Sequence, residues 1–201
     1  MQGATYSPAK HVKAKACLVG DIGVGKTSLI RRFVLDTFDD RYIATIGTKV
    51  TKKSVPCTWR GAPATMDLVI WDIMGEKGFR QLLKESYFEG TQGVLAMCDL
   101  TRPDTLEDLF GWIELARGNA PETSFVFLGN KADLRSKVSV QESELAGIAE
   151  TNHAPYFFTS AKTGLNVEQA FRGLAESVAR VVEPPQSPES IRGRNRPDTS
   201  L

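Results

Sequence analysis

Apolar runs of strand length alternate along the chain with stretches whose apolar residues recur at helical spacing. Ala14 to Val19 is the first run, broken only by Lys15; behind it Leu29, Ile30, Phe33 and Val34 mark a helix expected to end near Asp36. Thr37 to Gly47 lose that period and read as an extended polar loop. Residues 48–58 alternate Lys and Val, residues 65–71 (TMDLVIW) are apolar, and Arg60-Gly61-Ala62-Pro63 between them is turn-like, so a hairpin is expected. Asp72 to Gly78 then brings two glycines and three charges, which predicts a loop. Beyond it the pattern predicts a helix near 79–89, a strand at Gly93 to Cys98, a helix at Pro103 to Arg117 and a strand at Ser124 to Leu128. A helix at Gln141 to Thr151, a strand at Pro155 to Thr159 and a helix at Asn166 to Val182 complete the series.

Strand and helix in strict alternation imply crossover units and a mostly parallel sheet with helices on both faces, hence an α/β class. The runs near 94–98 and 125–128 fit a strand buried on both sides, being nearly continuous. Residues 1–12, polar with Pro8, are expected to form a flexible leader and residues 13–183 the domain. Residues 184–201 have only Ile191 and Leu201 as large apolar groups, too little to fold, and are expected to be a disordered tail.

Composition changes this picture little. At 201 residues and 41% apolar content the chain suits one domain with a sizeable core. A net charge of +1 with dispersed Lys and Arg argues against a nucleic-acid partner. Cys17, Cys57 and Cys98 each lie in or beside a strand-like run and form neither a metal pattern nor a disulfide framework, which reads as buried thiols in a reducing compartment. There is no apolar signal core, and no apolar run approaches the ~20 residues that cross a bilayer. A cytoplasmic monomer is expected.

The chemistry starts at Gly20 to Thr27, GDIGVGKT, which fits the phosphate-loop pattern and sits where the first strand hands over to the first helix. Phosphate oxygens carry dense negative charge, so they need backbone N–H groups free of side-chain obstruction, and a helix N-terminus adds its positive dipole end. Gly20, Gly23 and Gly25 let the backbone curl, Lys26 reaches the terminal phosphates, and the hydroxyl of Thr27 is placed for a Mg²⁺ ion bridging them. Ligands of a parallel sheet bind outside the carboxyl ends of its strands. That rule gathers four further stretches beside the loop: the segment with Thr45, DIMG at Asp72 to Gly75, NKAD at Asn130 to Asp133, and SAK at Ser160 to Lys162. A carboxylate such as Asp133 accepts both adjacent donors of guanine, the ring N1–H and the exocyclic amine, but meets an acceptor on adenine.

In order and approximate spacing these five stretches resemble the nucleotide-binding motifs of Ras-superfamily small GTPases. With YIATIG similar to the family's first switch and WDIMGEKGFR to its second, the chain is most similar to the Rab branch. The resemblance implies a P-loop NTPase fold, a six-stranded sheet with one antiparallel edge strand, and GTP/GDP with Mg²⁺ as ligands. It implies contacts to the nucleotide from Gly20, Asp21, Ile22, Gly23, Val24, Gly25, Lys26, Thr27 and Ser28 of the loop, and from Tyr42. Phe38 is similar to the family's stacking aromatic, Asn130 to the residue that tethers base and loops, and the stem of Lys131 to a cover over the base. Ala161 would face the guanine oxygen through its N–H, with Ser160 and Lys162 holding that loop. Thr27 and Thr45 would ligate the metal directly and Asp72 through a water; Lys26, Thr45, Gly75 and Glu76 form the implied catalytic set. Hydrolysis would release Thr45 and Gly75 from the γ-phosphate, so residues 37–47 and 73–88 would be read by effectors, an exchange factor and an activating protein.

The sequence departs from the family at several places. Glu76 stands where a glutamine usually orients the attacking water; an ionised carboxylate only accepts and adds charge beside the γ-phosphate, so the sign of its effect is open. Ile22 is branched where the family is often small, Met74 replaces a usual small residue and Ala44 a common proline. A guanine-nucleotide-binding scaffold with little turnover is therefore a second reading. A small-molecule P-loop kinase, a third, lacks an acceptor site and lid. The last cysteine is Cys98 and Gln2 follows Met1, so neither prenylation nor N-myristoylation has an acceptor in this sequence. No direct membrane anchor is visible, and at most transient or adaptor-mediated membrane association is expected.

Overall fold

The computed structural model describes residues 10–39, 45, 47–75 and 87–182. Ten elements follow one another: β1 (Lys10–Val19), α1 (Lys26–Leu35), β2 (Thr48–Trp59), β3 (Ala62–Ile73), β4 (Thr91–Asp99), α2 (Pro103–Asn119), β5 (Ser124–Asn130), α3 (Glu142–Thr151), β6 (Tyr156–Phe158) and α4 (Val167–Val181). A short 3₁₀ turn at Arg135–Lys137 lies between β5 and α3.

The strands form one six-stranded sheet in the order β2-β3-β1-β4-β5-β6. β2 runs antiparallel to β3, and every other pair is parallel. Because side chains alternate across a strand, β1 sends Val12, Ala14, Ala16 and Leu18 to one face and Cys17 and Val19 to the other. The first face packs on α1 and α4, where Phe33 and Phe171 stack with ring centroids 3.8 Å apart. The second packs on α2 and α3 through Leu106, Leu109, Trp112 and Leu145. α4 buries Val167, Ala170, Phe171, Leu174, Ala175 and Val178, the i, i+3, i+4 stripe of a helix laid on a sheet. Each such Leu or Phe contributes about 1.5–3 kcal/mol through burial. All three cysteines are buried and unbridged, as expected.

Among the described residues the expected alternation holds, with differences at the ends. β1 begins at Lys10 rather than after a twelve-residue leader, because residues 10–12 pair with 64–66 of β3. The hairpin turn is tighter than Arg60 to Pro63: Arg60 and Gly61 alone take positive φ, 53° and 76°, while Ala62 and Pro63 already pair with Trp59 and Thr58. That is the two-residue turn whose twist suits a hairpin. Of the helix expected over 79–89, residues 79–86 lie outside the described residues; Tyr87 and Phe88 are helical, and Phe88 is buried. Residues 1–9 and 183–201, which include the expected tail 184–201, lie outside the described residues too. No helix among the described residues is long and apolar enough to cross a membrane.

Candidate functional site

The carboxyl ends of β1, β3, β4, β5 and β6 share one edge of the sheet, and the polar residues singled out above collect there. Gly20 to Thr27 wraps from β1 into α1. Gly25 caps the helix at φ 105°, and a Cβ there would stand 2.3 Å from Nδ2 of Asn130, so both backbone angle and space require glycine. Gly20 packs against the Met97 carbonyl and Val24 is buried. Lys26 is buried, its Nζ donating to the carbonyls of Gly20 at 2.8 Å and Asp21 at 2.9 Å. The Asp21 carboxylate accepts the N–H of Ile22 at 2.7 Å, and the Ile22 side chain is 46% exposed on the loop's rim. Ser28 follows Thr27 in the first turn of α1.

At the start of α1 three oxygen donors from three segments meet. Thr27 Oγ1 lies 2.5 Å from Asp72 Oδ2, at the end of β3, and 2.8 Å from Oγ1 of Thr45. Asp72 is buried, and its second oxygen, Oδ1, has no hydrogen-bond partner among the described residues. Burial pushes the Asp72 carboxyl above its usual range, opposed by the Thr27 hydroxyl and the charges of Lys26 and Lys49. Two hydroxyls and a carboxylate with an unpartnered buried oxygen are the donor set of a hard divalent cation. Gly75 follows closely: a Cβ on it would stand 2.6 Å from Lys26 Nζ and 2.6 Å from the Asp21 carbonyl carbon, so DIMG touches the phosphate loop directly.

NKAD and SAK form the other half. Asn130 is buried at the end of β5; its Nδ2 donates to the Val24 carbonyl at 2.8 Å, and its Oδ1 accepts from Thr159 Oγ1 and from the Ala161 N–H, both at 3.2 Å. One amide thus ties the phosphate loop to the SAK loop. Asp133 Oδ1 accepts the Ser160 hydroxyl at 2.6 Å. Phe38 has Lys162 Nζ 6.0 Å from its ring centroid. Lys131 takes φ 66° and puts Nζ 2.6 Å from Asp99 Oδ2. Tyr42 and Glu76 lie outside the described residues.

Three side chains that the sequence reading passes over belong to this framework. Arg32 in α1 donates through Nε to the Ala161 carbonyl at 3.0 Å and through Nη2 to that of Lys162 at 2.7 Å. Asp99 ends β4 with a fully buried carboxylate, and Arg102 bonds both Asp99 and the Ile22 carbonyl. Asp99 carries a readable signal, since it stands directly after an apolar strand, as Asp72 does. Arg32 and Arg102 carry none, because the partners that tie them to the site are backbone carbonyls distant in sequence.

A six-stranded sheet of this order, with a glycine-cradled lysine at its topological centre, defines a P-loop α/β nucleotide-binding protein. The Ras family model matches residues 15–180, and the chain belongs to that family. It is 32% identical over 186 residues to Ras-related protein Rab-1A of Dictyostelium discoideum, covering 92% of this chain and 90% of that protein. It is 33% identical over 165 residues to Ras-related protein Rab-13 of Rattus norvegicus, covering 82% and 79%. Ras-related protein Rab-27B of the same species is 33% identical over 193 residues, covering 90% of this chain and 88% of its own. Within the family the chain is Rab-like, and the family's activity is hydrolysis of GTP to GDP.

Proposed function

We propose that this chain is a Mg²⁺-dependent guanine-nucleotide switch that hydrolyses GTP slowly and presents residues 37–47 and 73–88 differently in its two states. The observation that carries the reading is the meeting of Thr27, Thr45 and Asp72 beside Lys26. A loop hydroxyl that reaches the helix start while Gly75 touches the phosphate loop gives two segments whose seats depend on what the phosphate loop holds.

In this reading the backbone N–H groups of 23–27 and the Lys26 ammonium bind the phosphates, and Asp133, held by Ser160, accepts the two guanine donors. Phe38 and the Lys131 stem flank the base, and Asn130 keeps the phosphate and SAK loops in register. Thr27 and Thr45 would hold Mg²⁺ directly and Asp72 through a water; the ion, when bound, neutralises developing charge on the terminal phosphate oxygens. Without an activating partner, turnover is expected on the order of 10⁻⁴ per second. Nucleotide-dependent display of the two loops to protein regulators and effectors fits a role in vesicle trafficking or signal transduction.

Single turnover of the purified chain loaded with GTP and Mg²⁺ tests this, with Glu76→Gln alongside. Phosphate release from the parent, abolished by chelating the metal, supports the switch. Tight GTP binding with no phosphate released over many hours sinks hydrolysis and leaves the scaffold reading, to which the half-exposed Ile22 on the loop rim points.

A further inference from the structure

Arg102 reaches across 80 residues of sequence to the phosphate loop. Its Nη2 lies 2.7 Å from the carbonyl oxygen of Ile22, and its Nε 3.2 Å from Asp99 Oδ2. The direction of that side chain is fixed twice. The Arg102 N–H donates to the Asp99 carbonyl at 2.9 Å, closing a turn, and Pro103 then starts α2. Asp99 is itself immobilised: Oδ1 accepts the N–H and hydroxyl of Thr101 at 2.9 and 2.7 Å, Oδ2 also takes Lys131 Nζ, and its N–H donates to Thr105 Oγ1 at 2.9 Å. A guanidinium offers donors in a rigid fork, so one arm on Asp99 aims the other.

The bond to Ile22 has a consequence one atom further on. The peptide unit joining Ile22 to Gly23 is planar and trans, so its C=O and N–H point in opposite directions. Holding the Ile22 carbonyl toward Arg102 therefore turns the Gly23 N–H away from Arg102. The N–H of Ile22 is already taken by the Asp21 carboxylate, so Gly23 bears the next backbone donor of the loop. Gly23 itself sits at φ 73° and has no side chain to resist rotation of that peptide. An external anchor is what gives it one orientation.

We propose that Arg102 is a positioning residue for nucleotide binding: braced by Asp99, it fixes the Ile22–Gly23 peptide so that the Gly23 N–H is presented to the phosphates. The proposal rests on the nucleotide-binding reading above. Through the same Asp99 oxygen that Lys131 uses, it couples the phosphate loop to the NKAD loop.

The test uses the full chain loaded with fluorescent GDP and Mg²⁺, chased with excess unlabelled GDP, and ³¹P spectra of the GDP complex. Arg102→Ala is expected to speed GDP release by roughly tenfold, the scale of one charge-assisted hydrogen bond, and to shift the β-phosphate resonance more than the α. Arg102→Lys keeps the charge and one bond but not the fork, and should fall between parent and Arg102→Ala. Release at the parent rate with unchanged resonances overturns the proposal. So does faster release that is the same for Lys and Ala with no β-phosphate shift, which marks a purely structural role. A parent that retains no GDP at all refutes the nucleotide-binding reading instead.

Discussion

Nε of Arg32 in the first helix lies 3.0 Å from the carbonyl oxygen of Ala161, 129 residues further along the chain, and the same guanidinium reaches the next carbonyl, that of Lys162. These bonds hold the outer side of the SAK loop while Asn130 Oδ1 holds the Ala161 N–H on the inner side. Removing the guanidinium leaves two carbonyls to solvent and frees the loop on one side. Each charge-assisted bond is worth about 1.5–3 kcal/mol at most, discounted here by partial exposure. Arg32→Ala is therefore expected to speed GDP release by roughly tenfold while leaving single-turnover hydrolysis of bound GTP near the parent rate. A fluorescent-nucleotide chase beside a phosphate-release assay measures both.

Asp133 is held at 2.6 Å by Ser160 through one oxygen, which fixes the orientation of the carboxylate. Asp133→Asn replaces a double acceptor with an amide that must turn one donor group toward the donors of guanine. Mispaired polar groups cost about 1–3 kcal/mol each, so GTP affinity should fall roughly 10- to 100-fold and discrimination against ATP should shrink with it. Competition titrations with GTP and ATP decide the point; ATP competing as well against the parent as against Asp133→Asn would refute guanine selectivity. Ser160→Ala should cost only a few-fold, since it removes the brace and not the acceptor.

The buried Asp99 carboxylate predicts a pH dependence. Burial works to raise its pKa, but the hydrogen bonds from Lys131 and Thr101, with the Lys131 charge, outweigh it and hold the group below its ordinary 3.8. As pH falls, the unfolded chain takes up the proton first. The carboxylate's contribution is thus complete above about pH 4–5 and is lost as pH drops through the lower folded-state value. Asp99→Asn should cost about 2 kcal/mol at pH 7, less than the ~3–5 kcal/mol of a fully buried pair, because Lys131 and Arg102 are 33% and 36% exposed and can rehydrate. The gap in urea midpoint between parent and variant should narrow as pH falls from 7 towards 3.

How much of this was legible in the sequence follows from the range of each interaction. The alternation of strands and helices, the hairpin, and the glycines and Lys26 of the phosphate loop are local patterns, and among the described residues each appears close to where its residues predicted. The strand-end polar residues Asp72 and Asn130 were legible because every parallel strand presents its carboxyl end to one edge. Illegible were bonds from a long side chain to a distant backbone carbonyl, as with Arg32 and Arg102, since a carbonyl has no residue identity to read. The start of β1 was missed for a similar reason: Lys10 and His11 look like a polar leader, and only their pairing with Ala64 and Thr65 makes them strand.

Gly75 gives the sharpest test of the contact between the DIMG stretch and the phosphate loop. A Cβ there would lie 2.6 Å from both Lys26 Nζ and the Asp21 carbonyl carbon, and 2.7 Å from that carbonyl's oxygen. Lys26 can shift its head, but the Asp21 backbone belongs to a loop pinned by Asn130 and Arg102, so the strain falls on the segment after β3. Gly75→Ala should therefore push that segment away from the phosphate loop while the loop keeps its shape. GDP release should stay within a few-fold of the parent, because Asp133, Asn130 and the loop N–H groups are untouched. On the proposed switch reading, hydrolysis of bound GTP should fall at least tenfold, about 1.4 kcal/mol in the barrier, since Gly75 then loses its place beside Lys26 and the Asp21 backbone. Equal losses in GDP retention and in hydrolysis would instead mean that the added methyl disrupts the phosphate loop itself, and the two-segment account of switching would not stand.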